Sequence, residues 1–173
     1  REVHLEEDAG KMIHAGDLSL LDYNRAGTPL VEVVTQPDLR SGADAEQFLT
    51  AFRSLVRYIG VCDGNMEHGS LRADANISVS DTEDRLGAKV EVKNLNSFKF
   101  VRAAIGFEEL RQAAELVAGR EVVSETRSWN ENRDVTETMR VKETDSDYRY
   151  FGEPDLPPYP LAPAFFDDVA ARA

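Results

Sequence analysis

The sequence predicts an α+β domain in which an antiparallel sheet is flanked by helices. Residues 71–79 and 89–93 alternate between apolar and polar side chains, as strands with one buried face do. Residues 45–59 and 97–118 instead carry apolar side chains at intervals of three and four, which is helical spacing. Antiparallel strand pairs with helices beside them are typical of this class, and 173 residues suffice for a core.

The composition of the chain limits which classes of function it can have. The net charge of −12 is unlike the basic face with which proteins neutralise nucleic-acid phosphates, and it favours an acidic cleft that concentrates Mg²⁺. The single cysteine, Cys62, excludes an internal disulfide and a multi-cysteine zinc site. No apolar run approaches the roughly 20 residues of a membrane span, and no signal-peptide pattern is present. Because the chain lacks an initiator Met, we expect a fragment.

The N-terminal part of the chain predicts strands followed by a helix. Residues 1–5 are expected to continue a strand, and residues 30–34 to form a short buried strand. Ser41 or Asp44 caps a helix that runs to about Tyr58 and is ended by a glycine. Its expected apolar stripe consists of Phe48, Leu49, Phe52, Leu55, Val56 and Ile59.

The central part predicts a hairpin with its charged side chains on one side. Residues 71–79 and 89–93 are its strands, and the other side of the sheet is expected to be covered by helices. The charged side carries Arg72, Asp74, Asn76, Ser78, Lys89, Glu91 and Lys93.

A second helix, from Asn96 or Ser97 to about Ala118, and a second hairpin, 121–129 with 134–141, complete the predicted fold. The expected core stripe of this helix consists of Phe100, Val101, Ala104, Phe107, Glu108, Leu110, Ala114 and Val117. We predict three regions: a folded α+β domain over 1–152, a proline-rich extended arm over 153–163, and the start of a helical region over 164–173.

Several carboxylates are candidate ligands for a hard cation, which prefers oxygen. They are Glu6, Glu7, Glu67, Asp74 and Glu91. The competing interpretations are a solvated sheet face with ion pairs between strands and, for the run Glu6-Glu7-Asp8, a solvated turn. Since strand side chains alternate, at most one or two of that run serve a single site. The three histidines lack metal-ligand spacing, and no phosphate-binding loop or dinucleotide fingerprint occurs.

Five long stretches of the sequence form a pattern: HLEEDAGK (4–11), DYNRAGTPLVEVVTQPDLRS (22–41), NMEHGSLRADANISVS (65–80), EVKNLNSFKFV (91–101) and MRVKETDSDYRYFGEPDLPP (139–158). In this order they resemble the B subunit of the Glu/Asp-tRNA amidotransferase. The related archaeal E subunit of Glu-tRNA amidotransferase remains an alternative. Ala73 stands where that family usually has Cys.

The resemblance implies that residues 1–152 are a partial catalytic domain, with a fold similar to the catalytic fold of glutamine synthetase that is truncated at its N-terminus. It implies that ATP and Mg²⁺ are used to phosphorylate the side-chain carboxylate of misacylated Glu-tRNA(Gln), Asp-tRNA(Asn) or both. Ammonia from a separate glutaminase (A) subunit then displaces phosphate, and a small C subunit completes the complex. We expect a cytoplasmic location in a bacterium or archaeon, with mitochondria and plastids left open. Most of the contacts with tRNA would come from helical domains that lie outside this chain.

The resemblance also assigns roles to residues. Glu7, Asp74 and Lys93 are predicted to be catalytic. Predicted metal ligands are Glu6, Glu7, Glu67 and Asp74. Predicted cofactor contacts are Lys11, Arg72, Asn76 and Glu91. Two rival hypotheses remain: an inactive fragment that only binds partner subunits, and an unrelated acidic α+β binding module. For the unrelated module, Glu7→Gln and Asp74→Asn would change stability by no more than about 0.5 kcal/mol.

Overall fold

The computed structural model describes residues 2–82, 84–141 and 160–172, and it confirms the α+β class. The chain divides into two compact units: Arg1–Thr35 with Ser146–Ala173, and Gln36–Asp145. Most of the predicted arm, together with the charged segment before it, lies outside the described residues. Within them, no helix is both long enough and apolar enough to cross a membrane.

The first unit contains two antiparallel strand pairs. Strand β1 (Glu2–Glu7) pairs with β4 (Pro29–Val34), and β2 (Lys11–Ala15) pairs with β3 (Leu18–Asp22). The strand predicted over 30–34 exists, but the prediction that it is buried is wrong. Its valines are 38–47% exposed, because β4 belongs to a sheet of only two described strands. Helix α3 (Pro163–Arg172) confirms the predicted C-terminal helix.

The second unit is built on a four-stranded sheet in the order β5-β6-β7-β8. The pair β5 (Ala75–Ile77) and β6 (Val90–Lys93) is antiparallel, as is the pair β7 (Glu125–Asn130) and β8 (Val135–Val141), so both predicted hairpin pairings are confirmed. The sheet is mixed rather than antiparallel throughout, because β6 pairs with β7 in parallel after a helical crossover. The first strand is also shorter than predicted, since its partner β6 offers only four residues.

Two helices begin at serine caps that the sequence predicted. In α1 (Gly42–Tyr58) the Ser41 hydroxyl accepts a hydrogen bond from the Asp44 amide. In α2 (Phe98–Val117) the Ser97 hydroxyl accepts one from the Phe100 amide, so each cap satisfies an otherwise free donor. The hydrophobic core between helices and sheet consists of Ala45, Ala75, Ile77, Val90, Val92, Leu95, Val101, Ala104 and Trp129.

Parts of the predicted apolar stripes are exposed. Leu55 and Ile59 at the end of α1, and Leu110 and Val117 on α2, are each more than half exposed. The physical reason on α2 is that its sheet-facing side runs through Val101, Ala104, Glu108 and Gln112, which are all buried. The spacings of three and four therefore predict the helical period of α2 correctly. In its last two turns they predict the wrong side of the helix as the buried one.

The buried polar side of α2 is a network centred on Glu108, whose side chain is fully buried. Arg111 donates to both of its oxygens at 2.7–3.1 Å, and Arg127 Nε lies 3.2 Å from Oε1. Thr136 and Gln112 also donate to this carboxylate, and Gln112 bonds backbone atoms in and beside β5. Burial acts to raise the pKa of Glu108, but the hydrogen bonds from Arg111, Thr136 and Gln112 outweigh it and hold that pKa below its ordinary value.

Replacing Gly42 with alanine is expected to destabilise the second unit by about 1–3 kcal/mol. A Cβ on Gly42 would lie 2.5 Å from the Arg102 carbonyl oxygen, so α1 and α2 would have to move apart. Urea denaturation followed by tryptophan fluorescence measures the change, because the one tryptophan lies in this unit. Gly106→Ala on α2 is the matched control, since its Cβ would meet no atom within 4 Å. Equal stability for Gly42→Ala and the natural chain would contradict the close contact.

Candidate functional site

The polar side of the β5–β6 pair carries a cluster of three charged side chains. Lys93 Nζ lies 2.7 Å from Asp74 Oδ2 and 3.0 Å from Glu91 Oε1. Burial acts to lower the pKa of Lys93, but its hydrogen bonds to the two carboxylates outweigh this and raise that pKa above its ordinary value. Lys93 therefore remains an ammonium ion, held between two carboxylates.

Strand geometry explains why these residues meet. Glu91 and Lys93 are two positions apart on β6 and share a face, and Asp74 directly precedes the neighbouring strand β5. The other oxygen of Glu91 accepts a hydrogen bond from the Thr126 hydroxyl on β7 at 3.1 Å, and the Glu91 side chain is only 12% exposed. Glu91 is thus fixed in place, whereas Asp74 is nearly half exposed and accessible to solvent.

The cluster can act chemically in two ways. Two carboxylates around one cation form an oxygen-rich position that suits a hard divalent ion. The ammonium group of Lys93 can instead neutralise a phosphate that reaches the same face. Asn76 lies opposite Glu91 in the strand register, and Arg72 is exposed on the segment before β5.

Glu67 occupies different surroundings from the other predicted residues of this unit. It is exposed in the loop between α1 and β5, and it lines an open cleft of about 360 Å³. The remaining lining residues are Arg53, Gly64, Asn65, Met66, Asn96, Ser97 and Phe98.

The first unit carries its own group of metal-ligating side chains on β1 and β4. His4 Nδ1 lies 3.0 Å from Glu32 Oε2 and 3.9 Å from Glu6 Oε1, and Glu2 Oε2 lies 3.5 Å from His4 Nε2. One ligand atom each from His4, Glu6 and Glu32 falls within 4.8 Å of the others. Among the described residues, this His4–Glu6–Glu32 group is the one set of three potential ligands that could hold a metal ion.

The electrostatics of this group favour a cation. Burial and the neighbouring Glu32 raise the pKa of Glu6, because two carboxyl groups placed together resist ionising together. A hydrogen bond with Glu32 raises the pKa of His4, so the imidazole draws a proton towards the same group. A divalent ion would relieve the repulsion between the carboxylates by replacing that proton.

The structure separates the residues of the acidic run. Glu6 shares a face of β1 with His4, whereas Glu7 is exposed opposite Pro29 and points to the other face. Asp8 accepts a hydrogen bond from Arg25 at 2.7 Å, and its backbone bonds residues 27 and 28. Lys11, at the start of β2, is exposed and lies opposite Asp22.

Sequence reasoning missed His4 and Glu32 as candidate ligands. The spacing of His4 and Glu6, two apart on one strand, was a usable signal. The participation of Glu32 was not visible, because it depends on the register of β1 against a strand that begins more than twenty residues later.

Comparison with known proteins identifies relatives over nearly the whole chain. A family model described as the GatB/GatE catalytic domain matches residues 1–167. The aspartyl/glutamyl-tRNA(Asn/Gln) amidotransferase B subunit of Thermosynechococcus vestitus is 54% identical over 164 residues, covering 90% of this chain and 33% of that protein. The protein of the same name from Nostoc punctiforme gives the same identity and the same coverage.

A third relative extends the match further along the chain. The protein of the same name from Thermotoga maritima is 50% identical over 176 aligned residues, covering 98% of this chain and 36% of that protein. This chain therefore spans about a third of the length of the curated relatives it matches. The matched segment includes both the Asp74–Glu91–Lys93 cluster and the His4–Glu6–Glu32 group.

Proposed function

Since this chain belongs to the GatB/GatE catalytic-domain family, we propose that it is the catalytic part of the B subunit of a tRNA-dependent amidotransferase. The reaction is the ATP-dependent phosphorylation of the side-chain carboxylate of misacylated Glu-tRNA(Gln), Asp-tRNA(Asn) or both, followed by displacement of phosphate by ammonia. The observation that carries this proposal is the placement of Lys93 between two carboxylates on one face of the sheet.

The proposed chemistry makes specific demands on this chain. A carboxylate is a poor electrophile, and its oxygen leaves readily only once it carries a phosphoryl group. Phosphoryl transfer depends on positioning and on charge neutralisation rather than on a protein nucleophile. In this proposal Lys93 neutralises charge on the transferred group, while Asp74 and Glu91 hold cationic groups beside it. We assign Asn76 and Arg72 to contacts with the nucleotide or the substrate.

The metal proposed for this function is Mg²⁺, which would supply further neutralisation of phosphate charge. Carboxylate oxygens suit Mg²⁺, and each unit offers its own pair of them: Asp74 with Glu91 in the second unit, and Glu6 with Glu32 in the first. The imidazole of His4 is a ligand more typical of transition metals, so we assign the carboxylates as ligands and His4 as their hydrogen-bonding partner. The geometry favours Glu6 as the metal ligand of the acidic run. Glu7, which the resemblance favours for that role, stays a prediction.

The proposed partners supply what the proposed reaction needs. Ammonia would come from a glutaminase (A) subunit, and a small C subunit would complete the assembly. With a net charge of −12, this chain is poorly suited to bind tRNA phosphates by itself. The contacts with tRNA are therefore assigned mainly to the rest of the protein, and the proposed location is the cytoplasm.

The test uses the full-length protein with its partner subunits. It is supplied with misacylated Glu-tRNA and Asp-tRNA, ATP, Mg²⁺ and ammonium chloride, so that the amidation step is measured without the glutaminase. We expect amide formation, and we expect Glu32→Gln to reduce it by about 100-fold or more, since even residues behind metal ligands cost 10–100-fold when changed. Glu6→Gln and Glu7→Gln, measured side by side, decide which member of the acidic run serves the site.

Glu131→Gln is the matched control, because Glu131 is an exposed carboxylate in the turn between β7 and β8. If the Glu6, Glu7 and Glu32 variants all amidate at the rate of the natural protein, the assigned metal site is wrong but the proposed function stands. A folded complex that amidates neither tRNA would reject the function, and a role limited to binding partner subunits would then replace it.

A further inference from the structure

The open cleft beside α1 and α2 is lined by one residue of each charge. Arg53 projects from α1, and Glu67 projects from the loop that follows this helix. Asn65, Asn96 and Ser97 add polar groups, and Met66 and Phe98 add apolar surface. The cleft is open to solvent and most of its lining side chains are polar, so it suits a polar or charged ligand better than an apolar one.

The loop that carries Glu67 is held by its own hydrogen bonds. The Asn65 amide donates to the Asp63 carboxylate at 2.8 Å, and the His68 amide donates to the Asn65 side-chain oxygen at 3.0 Å. Backbone bonds from residues 70 and 71 to the Asn65 carbonyl close the loop. The hydrogen bond from the Asn65 amide lowers the pKa of Asp63, so the loop is anchored by an ionised carboxylate at neutral pH.

The side chain of Arg53 packs against Gly64, which also lines the cleft. Gly64 has a φ of +67°, and a Cβ there would lie 2.7 Å from Arg53 Cγ. The aliphatic part of Arg53 therefore packs against the backbone of Gly64, a contact that a larger residue would block. Arg53 is exposed and lines the same cleft.

Among residues 2–82, 84–141 and 160–172, neither Arg53 nor Glu67 forms an ion pair, with the other or with a third residue. Several other charged residues of the second unit are paired, including Arg102 with Glu46 at 3.0 Å and Arg120 with Glu115. Two opposite charges that share a cleft without pairing match a ligand that carries both charges itself. The ligand's ammonium group would meet Glu67, and its carboxylate would meet Arg53.

We propose that this cleft binds the aminoacyl group of the substrate, an inference that rests on the proposed function. An aspartyl or glutamyl group esterified to tRNA keeps two charges, an α-ammonium and a side-chain carboxylate. Glu67 recognises the ammonium and Arg53 the carboxylate, with Asn65 and Asn96 offering amide groups to the ester. The site would reject the amidated product, because an amide leaves the guanidinium group of Arg53 without its partner. This assignment differs from the metal-ligand role predicted for Glu67.

The probe for the test is L-glutamic acid 1-methyl ester, which retains both charges and reproduces the ester. Its binding to the full-length protein in its complex is measured by ligand-observed saturation-transfer NMR. Two analogues each lack one charge: the N-acetyl derivative lacks the ammonium, and L-glutamine 1-methyl ester lacks the carboxylate. We expect each analogue to bind the natural protein about tenfold more weakly than the probe, which is the usual worth of one charged hydrogen bond.

Substitution should remove one preference at a time. Glu67→Gln is expected to abolish the preference for the probe over the N-acetyl derivative and to keep the preference over the glutamine ester. Arg53→Met should do the reverse, and Arg53→Lys should restore part of the lost preference. Because each comparison is made within one variant, partial loss of folded protein does not affect it. Arg57→Met, exposed on the same helix, and Glu131→Gln are controls that should keep both preferences.

Two outcomes overturn this inference: a natural protein that binds the probe and both analogues equally, and preferences that survive Arg53→Met and Glu67→Gln. Amidation of misacylated tRNA is measured on the same preparations. If amidation proceeds while the preferences fail, the cleft assignment alone is wrong. If the natural complex does not amidate, the proposed function fails separately, whatever the probe shows.

Discussion

Replacing Lys93 with methionine in the full-length protein is expected to reduce the proposed ATP-dependent amidation by about 100- to 1000-fold, the usual effect of removing one group that stabilises transition-state charge. Methionine keeps the length and the apolar part of the side chain but removes the ammonium that lies 2.7 Å from Asp74 and 3.0 Å from Glu91. The two carboxylates would then repel each other and any incoming phosphate. The measurement is the initial rate of amide formation with ammonium chloride at saturating ATP.

Arg133→Met provides the matched control for this substitution. Arg133 pairs with Glu137 at 2.7 Å on the exposed part of the β7–β8 hairpin, so the variant loses a surface ion pair of similar length. If Lys93→Met were as active as Arg133→Met, the cluster would be a solvated sheet face with interstrand ion pairs. If activity fell only through a higher KM for ATP, Lys93 would bind the nucleotide rather than stabilise the transition state.

Replacing Glu108 with alanine is expected to lower the free energy of unfolding of the second unit by about 3–5 kcal/mol, the usual cost of breaking a buried ion pair from one side. Glu108 is fully buried, while the side chains of Arg111 and Arg127 are 22% and 12% exposed. Removing the carboxylate leaves Glu125 as the one remaining carboxylate beside two largely buried guanidinium groups. Urea denaturation followed by the fluorescence of Trp129, which contacts Phe100 on the same helix as Glu108, reports directly on this unit.

The same residue makes acid sensitivity a second readout. Because the pKa of Glu108 is lowered in the folded chain, its contribution to stability is full above its ordinary pKa of 4.5 and is lost as the pH falls further. The natural chain should therefore lose stability below that pH more steeply than Glu108→Gln does. Glu131→Gln, exposed in the hairpin turn, should follow the natural chain. Identical acid profiles for Glu108→Gln and the natural chain would show that the carboxylate contributes nothing while ionised.

Local chemistry made much of this fold predictable. Serine caps at residues 41 and 97 and the glycines that follow both helices act over a single turn of chain, so they can be identified in the sequence. The charged face of β5 and β6 follows from strict alternation of polar and apolar side chains. That alternation alone predicted that Asp74 and Lys93 lie on the same face, where their side chains form an ion pair.

Features that depend on distant partners were not predictable in the same way. The parallel pairing of β6 with β7 depends on where α2 returns the chain. Gln112 is buried in place of Leu110 because of a polar network, and two members of that network, Arg127 and Thr136, lie on the sheet. The contact between His4 and Glu32 likewise depends on a strand register, and no residue near His4 in the sequence indicates it.

The parallel pairing of β6 with β7 also has a kinetic consequence. Each hairpin pair can form from neighbouring chain, whereas joining Val90 to Glu125 requires closure of a loop that contains all of α2. Contacts of this kind slow folding, so we expect the two strand pairs to form early and the seam between them to close last. The hydrogen bond from Thr126 to Glu91 crosses that seam. The cluster that includes Glu91 would therefore reach its final geometry only in the last folding step, so a nascent chain could not expose a finished site before α2 and β7 had been synthesised.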